Sequence, residues 1–170
     1  MAFEEITKPS VSEMKETPNL VDYQSTRNDF DWFRDGFSGL DWLPDGGLNN
    51  AYEAIDRHVK NGKGDLKALI WVGKNGDEET YTYSQFKNES DKFGQVMKNL
   101  NMERGDRVFI FMDRIPELYF AAMGILKAGG VIAPLFSAFG PDPVRDRMED
   151  AGASFIVTTP ELKAKIDNML

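Results

Sequence analysis

The sequence contains no cysteine and only one histidine, His58. The absence of cysteine excludes disulfides, thiolate nucleophiles and cysteine-ligated metals. A single histidine cannot form the histidine clusters on which many metal sites depend. Because His58 lies at the end of a predicted helix, where the helix dipole favours a cationic imidazole, we prefer a structural role for it to a catalytic one.

Long apolar runs and an excess of positive charge are also missing. No window approaches the roughly 18 apolar residues of a membrane-spanning helix, and the first residues do not resemble a secretory signal. We therefore expect a cytoplasmic protein without a membrane partner. Acidic residues outnumber basic ones by 28 to 20, for a net charge of −8. This balance argues against a nucleic-acid partner, because phosphate backbones are bound by clustered lysine and arginine.

Motifs that define a reaction are absent as well. The phosphate-binding P-loop pattern does not occur, and Gly62-Lys63-Gly64 lacks a preceding strand, so we interpret it as a connector. There is no nucleophile elbow and no set of carboxylates or histidines with metal-ligand spacing. The residues by themselves therefore predict a fold but no reaction, and no catalytic residue is assigned.

The stretch from Gly105 to Pro134 carries the strongest structural signal. The apolar run Val108 to Met112 is short and bounded by charge, which favours a buried strand. Pro116 begins a segment with helical apolar spacing that ends at Gly129-Gly130. A second apolar run starts at Val131. Strand, helix and strand thus fit into about 30 residues, the size of a right-handed βαβ unit.

The flanking residues extend this unit in both directions. Asn75-Gly76 between two β-prone runs predicts a hairpin. Thr82 and Gln85 have capping-box spacing and predict a helix over 83–100, with one buried face. The buried face is formed by Phe86, Ser90, Phe93, Met97 and Leu100. A helix over 142–151, a third parallel strand at 155–157 and a last helix capped by Thr159 complete the pattern. The predicted class is α/β, a partial three-layer parallel sheet with flanking helices.

The N-terminal third has a different character from the α/β part. Residues 1–24 are expected to form a polar arm, and residues 25–66 a mostly helical and irregular extension with one helix at 48–59. The α/β subdomain is then 67–170. Aromatic residues are dense in the extension, and we expect them to pack rather than to form a ligand platform, because acids separate them. These aromatics are Phe30, Trp32, Phe33, Phe37 and Trp42.

Topology predicts where a ligand would bind. In open α/β sheets ligands bind beyond the carboxyl ends of the strands, which is where the loop after Pro134 is expected. Four basic residues fall on the same edge, although surface solvation is the preferred interpretation for each of them taken singly. They are Arg145, Arg147, Lys163 and Lys165.

Several of these segments resemble a known family. The runs Y-T-Y-S-Q-F at 81–86, G-D-R-V-F-I-F-M at 105–112 and F-I-V-T-T-P-E-L at 155–162 are similar to the N-terminal part of the adenylate-forming acyl-CoA synthetases. The run R-I-P-E-L-Y-F-A-A-M-G-I-L-K-A-G-G at 114–130 is similar in the same way. The extension, W-L-P-D-G-G-L-N-N-A-Y-E-A-I-D-R-H at 42–58, and the loop F-S-A-F-G at 136–140 resemble the acetyl-CoA synthetase (AMP-forming acetate–CoA ligase) branch.

The resemblance implies an enzyme that joins acetate to ATP with Mg²⁺, forms acetyl-AMP, and transfers the acetyl group to CoA. It also implies that the phosphate loop, the acyl pocket and the C-terminal domain lie beyond residue 170, so the chain is expected to be an N-terminal fragment that is inactive alone. On the CoA side it points to Ser137, Ala138, Phe139, Lys163 and Lys165. Two alternatives are a stand-alone CoA- or nucleotide-binding module and an interaction module that docks onto the missing C-terminal part.

Overall fold

The computed structural model describes residues 9–169, and the chain divides into two compact units, Met1–Leu40 and Asp41–Leu170. The boundary lies inside the segment that the sequence marks as an extension. In the first unit, a 3₁₀ turn at Val11–Glu13 is followed by helix α1, Tyr23–Asp29, and a π-helical turn at Trp32–Gly36. Aspartate side chains cap both later elements, because Asp22 accepts from the Ser25 N–H and Asp31 accepts from the Phe33 and Arg34 N–H groups.

The aromatic residues of this first unit are more exposed than the sequence predicts. Trp32 is 71% exposed and Phe33 is 82% exposed. Phe30 contacts Trp32 edge-on at 5.1 Å, and Phe33 contacts Phe37 at 5.6 Å between ring centroids. The packing that the sequence predicts is therefore limited to pairs of rings at the surface. Residues 9–40 form short turns held by local hydrogen bonds, and none of these residues is fully buried.

The second unit begins with a helical stretch that carries a π-helical turn. The turn, Tyr52–Asp56, continues directly into helix α2, Arg57–Lys60. This confirms the helix that the sequence predicts over 48–59. The sequence pattern does not predict its π-helical turn. The Asn49 side chain accepts from the Ala51 and Tyr52 N–H groups and donates to the carbonyl of Leu126, 2.8 Å away, so the stretch is tied to the α/β part.

The predicted hairpin and capping box are both present. Strand β1, Lys67–Val72, pairs antiparallel with β2, Glu78–Thr82, and the turn closes where Gly76 adopts a φ of +89° that suits glycine. The Thr82–Gln85 capping box then starts helix α3, Tyr83–Asn99. Phe86, Ser90 and Met97 are buried as predicted, but Leu100 is 57% exposed. The prediction of a buried face is therefore wrong for Leu100, its last residue.

The central βαβ unit and the third strand form one parallel sheet. Strands β3, Arg107–Phe111, β4, Val131–Leu135, and β5, Phe155–Thr158, are arranged in the order β4-β3-β5. Both pairings of β3 are parallel. The connecting helices are α4, Pro116–Lys127, and α5, Pro141–Ala151, and α6, Pro160–Ile166, follows β5.

Alternating side chains of β3 divide the core between the two faces of the sheet. Val108 and Ile110 share a cluster with Met97 of α3 and Ile125 of α4. On the opposite face, Phe109 and Phe111 pack with residues of α5 and α6, namely Val144, Leu162 and Ile166. Helices thus cover both faces of a parallel sheet, as the strongly apolar strand predicts. The three-layer α/β class is confirmed.

Candidate functional site

The candidate site lies at the carboxyl ends of β4 and β5, on the side of the sheet covered by α5 and α6. Leu135 is buried at the end of β4, and the chain then turns through residues 136–140, named here the 136–140 loop. The turn is closed by the Phe139 N–H, which donates to the Phe136 carbonyl at 3.0 Å. Pro141 at the first position of α5 ends the loop sharply.

Lys165 brings α6 to this loop. Its ammonium group donates to the carbonyl of Ser137 at 3.4 Å, which is a long hydrogen bond between exposed groups. The predicted residues Ser137 and Lys165, separated by 28 positions, are therefore neighbours. Ala138 is exposed in the same loop, and its small side chain leaves the backbone accessible.

Phe139 meets a cation that the CoA-side assignment omits. The guanidinium of Arg147 lies 4.7 Å from the Phe139 ring centroid, within cation–π distance, and it also donates to the Pro143 carbonyl at 2.8 Å. Phe136, which the assignment also omits, contacts Phe139 edge-on at 5.8 Å and is 65% exposed. Arg147 lies on the helix that directly follows a loop with two aromatic residues. This position in the sequence is the signal that could have identified it.

The other two basic residues on this edge are paired with acids. The Lys163 ammonium group pairs with Asp167, one turn further along the chain, so the structure does not bring Lys163 to the loop. Arg145 forms an ion pair with Asp142 at 2.5 Å. Of these four basic residues, Lys165 and Arg147 are the two that contact the loop.

The site combines an exposed ring, Phe136, a half-buried ring, Phe139, two cations and a loop that is exposed at Ala138. Such a set can hold a planar ring and an anionic group. Among these residues, no base lies next to a nucleophile. Across residues 9–169, no three acidic or histidine side chains come close enough to hold a metal ion. Within the same range, no helix is both long and apolar enough to span a membrane.

A parallel sheet covered by helices on both faces is an open α/β architecture, in which ligands bind beyond the carboxyl ends of the strands. The profile of the family described as AMP-binding enzyme matches residues 55–169, which is more than half of the chain. The chain belongs to the AMP-binding enzyme family.

Its relatives include acetyl-CoA synthetases. The chain is 44% identical over 149 residues to acetyl-coenzyme A synthetase of Bacillus subtilis, covering 87% of this chain and 26% of that protein. It is 36% identical over 145 residues to the Pseudoalteromonas translucida acetyl-coenzyme A synthetase, covering 79% of this chain and 22% of the relative. A crystal structure of Brucella canis acyl-CoA synthetase superposes with a TM-score of 0.77 at 26% identity, covering 84% of this chain and 26% of that one.

The chain spans about a quarter of the length of these relatives, at their N-terminal end. The family resemblance inferred from the sequence is thereby confirmed, as is its restriction to the N-terminal part. The boundaries at residues 24 and 66 and the CoA-side role of Ser137, Ala138, Phe139, Lys163 and Lys165 stay predictions.

Proposed function

We propose that the chain is the N-terminal part of an acetate–CoA ligase. The complete enzyme would activate acetate with ATP to give acetyl-AMP and pyrophosphate, and then transfer the acetyl group to CoA. In this proposal the chain supplies the α/β scaffold and part of the CoA-facing surface. The adenylation step belongs to residues that this chain does not contain.

The observation that carries the proposal is the contact between Lys165 and the 136–140 loop. It supports a CoA-facing role because a cation suits the phosphates of CoA and an aromatic ring suits its adenine. The assignment is kept for Ser137, Ala138, Phe139 and Lys165. Arg147 is added because it stacks on Phe139, whereas Lys163 has the weakest support because it pairs with Asp167.

The proposal is tested in a chimera in which this chain replaces the matching segment of the Bacillus subtilis acetyl-CoA synthetase. In that chimera, Lys165→Ala should raise the KM for CoA about two- to fivefold, because one exposed charged contact contributes up to about 1 kcal/mol. Acetate-dependent ATP–pyrophosphate exchange, which needs no CoA, should be unchanged. Lys63→Ala, in the exposed connector, is the matched control and should alter neither value. An unchanged KM for CoA in Lys165→Ala would refute the CoA-facing role.

A second candidate function is weak binding of CoA or a nucleotide by the chain alone. It is favoured by the contacts of Lys165 and Arg147 with the 136–140 loop, which need no residue from outside the chain. Calorimetry with CoA at millimolar concentration tests it. Heat that disappears in Phe139→Ala would support binding at this loop, and the absence of heat would exclude it.

A further inference from the structure

A polar pocket lies at the amino-terminal edge of the parallel sheet, the edge opposite the candidate site. Its volume is about 440 Å³, which falls in the range of small-molecule sites, about 300–1,000 Å³. Three segments of the second unit line it: the turn over 43–50, the end of α3 with its connection to β3, and the end of α4 with the two glycines that precede β4. We refer to it as the amino-edge pocket.

Hydrogen bonds fix the three walls of the pocket relative to one another. The Asn49 side chain donates to the Leu126 carbonyl at 2.8 Å, which joins the turn to the end of α4. The Gly105 N–H donates to the Gly129 carbonyl at 2.9 Å, which joins the α3–β3 connection to the same place. The pocket is therefore formed before any ligand binds, as small-molecule sites usually are.

The charge that lines the pocket is positive, although the whole chain carries a net charge of −8. Three cations, Lys98, Arg104 and Lys127, line it together with one carboxylate, that of Asp45. The Lys127 ammonium group pairs with two aspartates, each at 2.7 Å, so its charge is neutralised within the fold. The positive charge that is open to a ligand therefore belongs to Lys98 and Arg104.

Lys98 and Arg104 have no counterion in the fold. Among residues 9–169, neither side chain forms an ion pair or a hydrogen bond. The helix dipole accounts for Lys98, which lies in the last turn of α3. It does not account for Arg104, which lies outside the helices with its Cγ 3.4 Å from a Cβ built on Gly129. An anion in the pocket would supply the partner that both lack, and arginine matches phosphate in geometry.

The rest of the lining offers hydrogen-bond acceptors, so a bare anion would match only part of it. The pocket includes the C-terminal end of α4, and the last carbonyls of a helix lack partners within the helix. Asp45 adds a carboxylate, and Asn50 adds an amide that both donates and accepts. Because hydroxyl groups donate to such acceptors, the matching ligand combines an anionic group with several hydroxyl groups.

We propose that the amino-edge pocket binds a small sugar phosphate. The phosphate pairs with Lys98 and Arg104, and the hydroxyl groups bind Asn50, Asp45 and the carbonyls at the end of α4. This site is separate from the 136–140 loop, which lies at the carboxyl edge of the sheet. The inference does not rest on the proposed ligase function, because every residue that it uses lies in this chain.

The proposal is tested by an NMR titration of the isotope-labelled 170-residue chain with ribose 5-phosphate. We expect saturable shifts of the Asn50, Gly129 and Gly130 amide signals, and none with ribose, which lacks the phosphate. Lys98→Ala and Arg104→Ala should each raise the Kd about two- to fivefold, because each removes one exposed charged contact.

Lys74→Ala, in the exposed turn of the hairpin, is the matched control and should leave the Kd unchanged. Lys98 and Arg104 are exposed as well, so their variants keep the fold, and the dispersion of the NMR spectrum verifies this.

An absence of shifts at the pocket amides at tens of millimolar ribose 5-phosphate would overturn the proposal. An equally low Kd for inorganic phosphate would overturn the sugar phosphate as the ligand class, because the hydroxyl groups would then contribute nothing. Shifts confined to the 136–140 loop would place the ligand at the candidate site and would also overturn the proposal.

Discussion

At the scale of single residues, one buried carboxylate organises the start of the second unit. Glu53 is 8% exposed and accepts hydrogen bonds from the backbone N–H groups of Asp41 and Trp42, the closest at 2.9 Å. It also forms an ion pair with Arg57 at 2.9 Å. Trp42 has a φ of +50°, which is unusual for a bulky residue, so Glu53 stabilises a strained turn.

Glu53→Ala should therefore destabilise the fold by about 2–4 kcal/mol, because it leaves backbone donors and a cation without their shared acceptor. The free energy of unfolding in urea measures this loss. Glu78→Ala, in the exposed hairpin, is the control and should change stability by less than about 0.5 kcal/mol. A Glu53→Ala variant as stable as the control would show that other contacts hold the turn.

A second residue-scale feature is a charge cluster between α3 and α4. The Lys127 ammonium lies 2.7 Å from Asp91 and 2.7 Å from Oδ2 of Asp56, although the pair with Asp56 lacks hydrogen-bond geometry. Burial alone would raise the pKa of Asp91, but hydrogen bonds from Lys127 and Lys87 outweigh it and lower the pKa below its usual value of 3.8. At a pH above 3.8, the ionised form of Asp91 therefore stabilises the fold.

This contribution should be lost as the pH falls through the lowered pKa of Asp91. Asp91→Asn is expected to cost about 0.5–1 kcal/mol at pH 7, a modest amount because the side chain is partly exposed. The difference in unfolding free energy between Asp91→Asn and the unmodified chain should shrink below about pH 4, because the aspartate of the unfolded chain takes up its proton there. Urea unfolding at pH 7 and pH 3 measures it, with exposed Asp65→Asn as the control for net charge. A difference that is the same at both pH values would contradict this explanation.

At the scale of elements, the close crossing of α3 and α4 depends on two glycines. A Cβ built on Gly124 would lie 2.7 Å from the Ser90 carbonyl oxygen and 2.9 Å from the Gly94 backbone nitrogen. Since the obstructing atoms are backbone, the helices themselves would have to separate. Gly124→Ala should destabilise the fold by about 1–3 kcal/mol, although alanine is the better helix former.

Thermal and urea unfolding of Gly124→Ala measure this effect. Gly140→Ala is the matched control, because Gly140 has a φ of −82° and nothing lies within 4 Å of a Cβ placed there. The control should be neutral or slightly destabilising, because Gly140 is the N-cap of α5, where glycine is preferred to alanine. If both substitutions behave alike, the glycine contact between α3 and α4 is not a determinant of stability.

Elements whose signals are local could be predicted from the sequence. The hairpin at Asn75-Gly76, the Thr82–Gln85 capping box and the helix after Pro116 depend on residues within a few positions of each other. The contact of Gly94 with Gly124 could not be predicted in this way, because it depends on where two helices cross. The exposure of Trp32 and Phe33 was also beyond local reasoning, since hydrophobicity alone does not say whether a core is available.

At the scale of the whole molecule, the order of the strands in the sheet brings together site residues that are far apart in the sequence. The parallel-strand rule predicted that the 136–140 loop lies at the carboxyl edge of the sheet, and the contact between Lys165 and Ser137 forms there. That a ligand binds at this edge stays a prediction. Which cation stacks on Phe139 required the orientation of α5, which the sequence pattern does not specify. Local patterns thus predict the elements, whereas the pairing of individual side chains at the site depends on tertiary packing.

The measurement that tests the central claim most directly is acetate-dependent AMP formation by the chimera with the Bacillus subtilis enzyme. We predict that the chimera forms AMP only when acetate, ATP and CoA are all present, and that the 170-residue chain alone forms none. A folded chimera that forms no AMP would contradict the assignment to an acetate–CoA ligase. Acetate-dependent AMP formation by the chain alone would contradict the claim that the chemistry lies outside it.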